Sequence, residues 1–590
     1  MHLRLTPRCG VFLLSTTLCA AVSAQTRPDI APPIPVAAGV SQRDDASQEL
    51  IRQQERERLL RQQQERHPDV RLQDAPAAVA AHRLPDGESP CFVIDQLVLQ
   101  GDAHEQFQWA LAAAGRDDLG AADTPLGRCL GTQAINAVMG RMQNAIIARG
   151  YVTTRVLAEP QDLSKGRLTL TVIPGRIRQI AFAPGTSSRA NWWNALPSRP
   201  GDLLNVRDTE QALENFKRVP TAEADIQIKP AEGGNAQPGE SDLSIQWQQN
   251  MPFRLALGLD DSGARSTGKL QGSVTVSYDN WLTLNDLFYL SINQNVDGER
   301  NGPRGTGGLV AHYSIPYAYW LLAFTASDSH YQQSVAGINQ DYNYSGSSEN
   351  KEVKLSRLVY RDASRKTTVS LRGWQRASRN FIDDTEVEVQ RRRMAGWELG
   401  LSHREFMGQA TLDMNLQYRR GTGALGAMAA PEEAFGEGTS RMRLILADAA
   451  LSAPFKLAGQ PLQYTGNWRM QHNRTPLVPQ DRFAIGGRYT VRGYDGDSSL
   501  SAERGWLLRN EIGMPLGASG QQVYAGLDHG QVSGPSAEWL IARKLTGAVL
   551  GLRGQWLGVQ YDTFVGWPVH KPELFRTASH TAGFSLNASY

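Results

Sequence analysis

Residues 462–471, LQYTGNWRMQ, place Leu462, Tyr464, Gly466, Trp468 and Met470 on one side of an extended chain and Gln463, Thr465, Asn467, Arg469 and Gln471 on the other. Successive side chains of a strand point to opposite faces, so one face suits lipid and the other water. The end of the chain repeats the pattern, with Phe584, Leu586, Ala588 and Tyr590 set against Ser585, Asn587 and Ser589. Segments of about ten residues of this kind, separated by Gly, Asn and Asp, fill the stretch from Met251 to Tyr590, and helical periodicity is missing there. At about 20 residues per strand with its connection, 251–590 divides into about sixteen strands, an even number as bacterial barrels require. The expectation is a transmembrane antiparallel β-barrel over 251–590, with the polar stretches 333–350 and 421–441 as extracellular loops. A secreted β-sandwich alternates similarly, but it leaves the terminal aromatic strand and the unbroken run of strand and loop unexplained.

Working outward, the N-terminus carries Arg4 and Arg8 before an apolar run from Val11 to Val22, and Val22, Ser23 and Ala24 give the small-residue pattern of signal-peptidase cleavage. The mature chain is expected to start near Gln25. Cys19 follows Leu18, where lipidation needs a small residue, so a lipid anchor is not expected. No later segment approaches the roughly 20 apolar residues of a membrane helix. The composition, 41% hydrophobic with a net charge of +2 over 590 residues, fits a soluble multidomain protein and a barrel equally, because half of each barrel strand faces a polar lumen. Cys9 and Cys19 leave with residues 1–24, so Cys91 and Cys129 remain in an oxidising compartment and are expected to pair. Such a loop closure adds about 4 kcal/mol in the chain-entropy model.

Within the N-terminal segment 25–66, residues 44–66 consist almost entirely of Gln, Glu and Arg, with Leu50, Ile51, Leu59 and Leu60 as the apolar exceptions. This composition favours helix, but it offers too little apolar surface for a core. Such a helix, about 35 Å long, belongs either in water or in a polar channel. Residues 67–90, rich in Ala, Pro and Asp, form a linker able to span about 80 Å when extended.

A globular pattern then occurs twice. In 91–174 a strand at 91–100 leads to a helix whose apolar Ile135, Val138, Met139, Met142 and Ile146 share a face, and after Gly150 come strands at 151–157 and 167–173. In 175–250 a strand near 177–182 precedes a helix near 207–218. Two alternating strands follow, carrying Ala224, Ile226 and Ile228, and Leu243, Ile245 and Trp247. Two small α+β domains in tandem are the expectation.

One motif misleads. Residues 263–269, GARSTGK, have phosphate-loop spacing, but Leu270 replaces the required Ser or Thr and a strand pattern follows instead of a helix. The histidines lack metal-ligand spacing, neither GxSxG nor HExxH is present, and no basic stripe carries interleaved aromatics. Enzymatic activity, cofactors, metals, nucleotides and nucleic acids are therefore not expected.

Several segments resemble the outer-membrane transporters of two-partner secretion, which include haemolysin-activator, filamentous-haemagglutinin and contact-dependent-inhibition exporters. Cys91-Phe92-Val93-Ile94, Arg149-Gly150-Tyr151-Val152-Thr153, Gln161-Asp162-Leu163 and Gly166-Arg167-Leu168 resemble the first POTRA (polypeptide-transport-associated) domain of that family. Val491-Arg492-Gly493-Tyr494 resembles its barrel loop motif. Gly526-Leu527-Asp528-His529-Gly530 resembles its strand motif, although Phe often stands where this chain has Gly526.

The resemblance implies an outer-membrane exporter of a large secreted exoprotein with an N-terminal secretion domain. Its POTRA domains lie in the periplasm, its barrel is surrounded by outer-membrane lipid, and periplasmic chaperones are further candidate partners. It also implies that the 44–66 helix plugs the lumen at rest, and that Arg492 reaches Asp528 on the barrel wall. Alternation points Tyr524, Gly526, Asp528 and Gly530 to one face, consistent with an inward Asp528. Three readings compete with export, of which an outer-membrane barrel enzyme is disfavoured by the missing catalytic constellation. A barrel-assembly factor of the same superfamily usually carries more POTRA units and no plug, and a gated porin has no need of tandem polypeptide receptors.

Overall fold

The structure, a computed structural model, describes residues 39–65, 68–72, 83–297 and 304–590. The expected leader with Cys9 and Cys19, and much of the 67–90 linker, lie outside the described residues.

Helix α1, Gly39–Gln64, begins a few residues before the segment expected from composition, since nothing in Gly39-Val40-Ser41-Gln42-Arg43 breaks a helix as Pro would. In the first α+β unit, Gln96–Gly101 pairs parallel with Arg167–Ile173, which pairs antiparallel with Arg155–Leu157. Helix α2, Thr132–Ala148, lies against this sheet and buries Val138, Met142 and Ile146 completely, while Ile135 and Met139 are half-buried at the margin. Gly131 offers no capping side chain at the start of α2, and the Glu88 carboxylate substitutes for one. It accepts hydrogen bonds from the amides of Gly131, Gln133 and Ala134 at 3.0, 2.8 and 3.0 Å. Beside it a two-stranded pairing of Phe92–Ile94 with Arg128–Leu130 carries the Cys91–Cys129 disulfide, with Cα atoms 5.2 Å apart.

The second unit repeats the plan. Arg176–Phe182 and Ala222–Pro230 flank the central Glu240–Gln249, the first parallel to it and the second antiparallel. Helix α3, Val206–Phe216, is capped by Asn205, whose side chain accepts from the Arg207 amide. Leu213 and Phe216 of α3 meet Ile245 and Trp247 of the sheet in a closed core.

Among the described residues sixteen long strands, from Phe253–Asp260 to Thr581–Ser589, pair antiparallel with their neighbours and close into a barrel, and the two-residue strand Thr385–Glu386 extends one hairpin. The seam joins first strand to last, with Ala256 opposite Ser589 and Asp260 opposite Ser585. Alternation sorts the faces as the pattern requires: on one strand Leu527 is 52% exposed toward lipid while Asp528 is 0% exposed inside. Residues 263–269 form part of the loop between the first two strands.

One expectation needs correction. Residues 333–350 are not a long loop but the outer part of a hairpin, Trp320–Ala336 with Asp341–Arg361, turning at 337–340. They read as polar because strands that rise beyond the bilayer have water on both faces and lose the apolar alternation. Of 421–441, Gly421 and Thr422 end the strand Ala410–Thr422 and the remainder forms a connection, which contains the short helix Pro431–Phe435.

With the paired cysteines 38 positions apart, reduction should destabilise the first α+β unit by about 4 kcal/mol. Calorimetry of the full-length protein with and without reductant should show the soluble-domain transition moving down while the barrel transition stays in place. Coincident scans would refute a stabilising disulfide.

Candidate functional site

The connection between Gln460–Asn473 and Arg504–Pro515 folds back into the barrel and forms its own small core there. Phe483, Ile485, Val491, Tyr494 and Leu500 are buried in it with Leu507 and Leu545 of the wall. At its inner end Arg492 grips Asp528 with two side-chain bonds, Nε donating to Oδ2 at 2.8 Å and Nη2 to Oδ1 at 3.0 Å. The Arg492 backbone amide donates to Oδ2 as well, at 3.0 Å. The planar guanidinium fork suits a carboxylate in a way an ammonium does not. Arg492 is 5% exposed and Asp528 is 0% exposed, so the pair is shielded from bulk water.

The neighbours of Arg492 in the motif hold it there. Gly493 has φ +97°, and a Cβ on it would lie 2.4 Å from the carbonyl oxygen of Trp567. The Tyr494 hydroxyl donates to backbone carbonyls of Thr546 and His570 on two adjacent strands. Val491 is fully buried and packs against the face of Gly530.

Other members of this site were not singled out from the sequence. Glu511 accepts from Arg492 Nη1 at 2.8 Å and also pairs with Arg553 at 2.8 Å, while Arg509 stands 3.7 Å from Asp528. Gly547 lies directly under the loop, and a Cβ there would overlap the Arg492 carbonyl oxygen at 1.8 Å. At Gly526 a Cβ would meet Arg492 Nη2 at 2.7 Å, so the missing side chain leaves room for the guanidinium. The inward Gly547 and Gly566 on adjoining strands were the available signal, because wall positions without side chains mark where another backbone approaches.

From Asp44 onward helix α1 lies in the lumen, held by side chains all around it. Glu55 pairs with Arg469 and Arg61 with Glu352, each at 2.5 Å, and Glu49 accepts from Thr267 at 3.2 Å. Arg52 donates to the Gly496 carbonyl at 2.6 Å, which ties the helix to the same loop that carries Arg492. Arg372, bonded to Glu352 and Glu398, and Arg419, bonded to Glu398, continue a charged belt on the wall. A cavity of about 1290 Å³ remains between helix and wall.

Below the barrel, α3 of the second unit meets the turn between Asp341–Arg361 and Arg365–Ile382. Arg361 bonds Glu210 at 2.9 Å and Glu214 at 3.0 Å, and Lys366 also bonds Glu214. The segment 68–72 is clasped here too. The Val70 and Leu72 amides donate to Glu214 and Glu210, and Asp69 pairs with Lys366 at 2.7 Å and Arg404 at 2.6 Å. Burial pushes the Glu214 carboxyl up, but Arg361 and Lys366 outweigh it and hold the group below its ordinary value.

Among the described residues no cluster of His, Cys, Asp or Glu is arranged to hold a metal ion, and no helix is long and apolar enough to cross a membrane. A sixteen-stranded barrel bearing two POTRA-like domains, with an inward loop pinned by an arginine and a polar helix in its lumen, defines an outer-membrane protein transporter. The chain belongs to the haemolysin secretion/activation family ShlB/FhaC/HecB, whose model matches residues 239–554, and POTRA models match 112–175 and 176–230.

The chain is 36% identical over 577 residues to the outer membrane transporter CdiB-2 of Burkholderia pseudomallei (strain 1026b), covering 95% of this chain and 96% of that protein. It is 25% identical over 526 residues to the hemolysin transporter protein ShlB of Serratia marcescens, covering 88% of each. The solved structure of CdiB from Acinetobacter baumannii matches with a TM-score of 0.81 at 31% identity, over 93% of this chain and 99% of that one. The barrel therefore resides in the outer membrane with its POTRA domains in the periplasm, and the transporter is of the two-partner secretion type.

Breaking a buried ion pair by removing one partner costs about 3 to 5 kcal/mol. Here Arg509 and Glu511 soften the loss, because each offers the stranded charge a substitute. Arg492→Ala and Asp528→Ala should each lower secretion of the cognate exoprotein while folded barrel stays in the membrane. The double variant should be little worse than either single one, and Arg492→Lys should be impaired. Full additivity at normal barrel levels would exclude the pairing.

A second expectation concerns pH. Because the Glu214 value is depressed in the fold, its contribution is complete above the ordinary 4.5 and fades as the pH falls below that. The protection of residues 206–216 against hydrogen exchange, relative to the intrinsic rate at each pH, should fall on acidification, and Arg361→Ala should flatten that pH dependence. An unchanged profile in the variant would remove Arg361 as its cause.

Proposed function

We propose that this transporter exports a large exoprotein in unfolded form through the lumen that α1 now fills. Its POTRA domains receive the N-terminal secretion domain of that cargo on exposed strand edges by β-augmentation. The single observation that carries this reading is the filling of the lumen. A helix rich in charge, bonded to the wall through Glu55, Arg61 and Glu49 and to the inward loop through Arg52, closes the channel with mainly polar contacts, Leu50 and Leu60 being its apolar exceptions. Such polar contacts are replaced by water on both sides as the helix leaves, because the freed groups of helix and wall are rehydrated rather than left unpaired. Displacing the helix therefore exposes little apolar surface and opens a polar path along the charged belt.

The Arg492 loop stays behind, because its own apolar core and the fork to Asp528 fix it to the wall. It forms one side of the opened conduit. With no nucleotide motif in the chain, the direction of transfer comes from folding of the cargo once it is outside. The relatives carry transporter names from contact-dependent inhibition and haemolysin secretion, and the cargo proposed here is an exoprotein of that general kind.

Deleting residues 39–64 should raise single-channel conductance in planar bilayers several-fold while the cognate exoprotein is still exported. Unchanged conductance after the deletion would show that the helix does not obstruct the pore at rest. Unimpaired pore opening combined with complete loss of secretion would assign the helix an active part in cargo transfer.

A further inference from the structure

The inward arginines of the barrel are each answered by a carboxylate, yet a group of outward ones is not. Arg420 sits next to the lumen-facing Arg419, so it points to the lipid side. Arg443 adjoins Leu444, which is buried in an inner cluster with Met394 and Leu477, so it too points outward. Arg420 and Arg443 are direct register partners on adjacent strands, Ala410–Thr422 and Arg443–Leu457. Arg441 joins them from the connection above. All three are exposed, and among the described residues none has a carboxylate partner. Like charges facing each other across strands destabilise the pairing unless an anion lies between them.

Their position along the wall decides which anion. Arg404, near the other end of the neighbouring strand Arg392–Met407, bonds Asp69 on the side of the POTRA domains. The arginine group is therefore at the extracellular end. Beneath it the outer face is apolar, with Leu399, Leu401 and Leu416 exposed to acyl chains. Between the two lies an aromatic pair, Trp397 and Tyr418, with ring centroids 5.7 Å apart, and Trp397 is the register partner of Arg420. Aromatic girdles mark the boundary of the hydrocarbon. Immediately above that boundary Trp397, Arg420, Arg441 and Arg443 surround an open cavity of about 480 Å³.

We propose that this cavity binds the phosphorylated headgroup of an outer-leaflet glycolipid, with its acyl chains laid along Leu399, Leu401 and Leu416. The phosphate accepts from the Arg420 and Arg443 guanidiniums and removes their mutual repulsion, while Arg441 closes over it from the loop. Guanidinium forks match phosphate oxygens in shape as well as charge. The bound lipid thereby clasps the extracellular ends of the two strands, whose inner faces carry Arg419 of the charged belt.

The test uses the full-length protein in a mild non-ionic detergent. Native mass spectrometry follows the binding of lipid A bearing two phosphates, of lipid A stripped of phosphate, and of the bisphosphorylated form in the presence of excess inorganic phosphate. The wild type should retain one bisphosphorylated lipid and bind the stripped form on the order of tenfold more weakly. The Arg420→Gln/Arg441→Gln/Arg443→Gln variant should lose that preference, whereas Arg357→Gln, at the periplasmic end of the wall, should keep it. Heat-modifiable mobility on gels reports barrel folding, and if the triple variant does not fold, Arg443→Gln alone should weaken binding by about tenfold. Equal binding of stripped lipid, undiminished binding by the folded arginine variants, or displacement by inorganic phosphate would each overturn the proposal.

Discussion

Hydrocarbon offers no partner to a peptide group, so every backbone N–H and C=O at membrane depth must be paired within the protein. The seam between Phe253–Asp260 and Thr581–Ser589 meets this demand, and the rest of the structure depends on it. Leu255 and Tyr590 exchange hydrogen bonds at 3.0 and 2.8 Å, so the last residue of the chain completes the cylinder. Arg488 of the inward loop reinforces the seam by donating to the Phe584 carbonyl at 2.9 Å and to Asp261 at 2.7 Å. Closure creates a lumen, and a lumen sheltered from bulk water obliges each charge placed inside to find a counter-charge. The fork of Arg492 to Asp528, the belt of Arg372, Glu398 and Arg419, and the bonds of α1 are all answers to that obligation.

The inward loop is held by two different kinds of force. Its ion pair gives direction, fixing where the tip lies on the wall. Its apolar cluster of Phe483, Ile485, Val491 and Leu500 gives most of the adhesion, because apolar burial contributes about 25 cal/mol per Å² without needing exact alignment. Losing the salt bridge therefore releases the tip more than the loop as a whole. α1 has the opposite constitution, with many polar contacts and little apolar burial, and it is the element that is able to leave.

Much of this was legible in the sequence where one face had to differ from the other. Residues 462–471 show their strand because lipid and lumen demand opposite side chains, and Arg469 does face Glu55 inside. Arg492 and Asp528 were legible as motif residues, and their contact is seen in the fold. Glu511, Arg509 and Gly547 were not, because their places at the site come from strand register, which no local pattern encodes. Residues 333–350 were misread as a loop for the complementary reason: outside the bilayer both faces of a strand are wet and the alternation disappears. The composition of 44–66 left open whether the helix sits in bulk water or in the channel, since both are polar surroundings.

The clasp on residues 68–72 bears on how the pore closes again. Val70 and Leu72 are held by carboxylates of α3, and Asp69 by Lys366 and Arg404, only a few residues beyond the end of α1. A helix that swings out while this clasp holds is leashed at the pore mouth. Its return is then intramolecular, at an effective concentration of about millimolar or above, set by the leash and independent of how much protein the membrane contains. On the proposed export route, reclosure thus becomes a matter of geometry, and the barrel spends little time open once its cargo has passed.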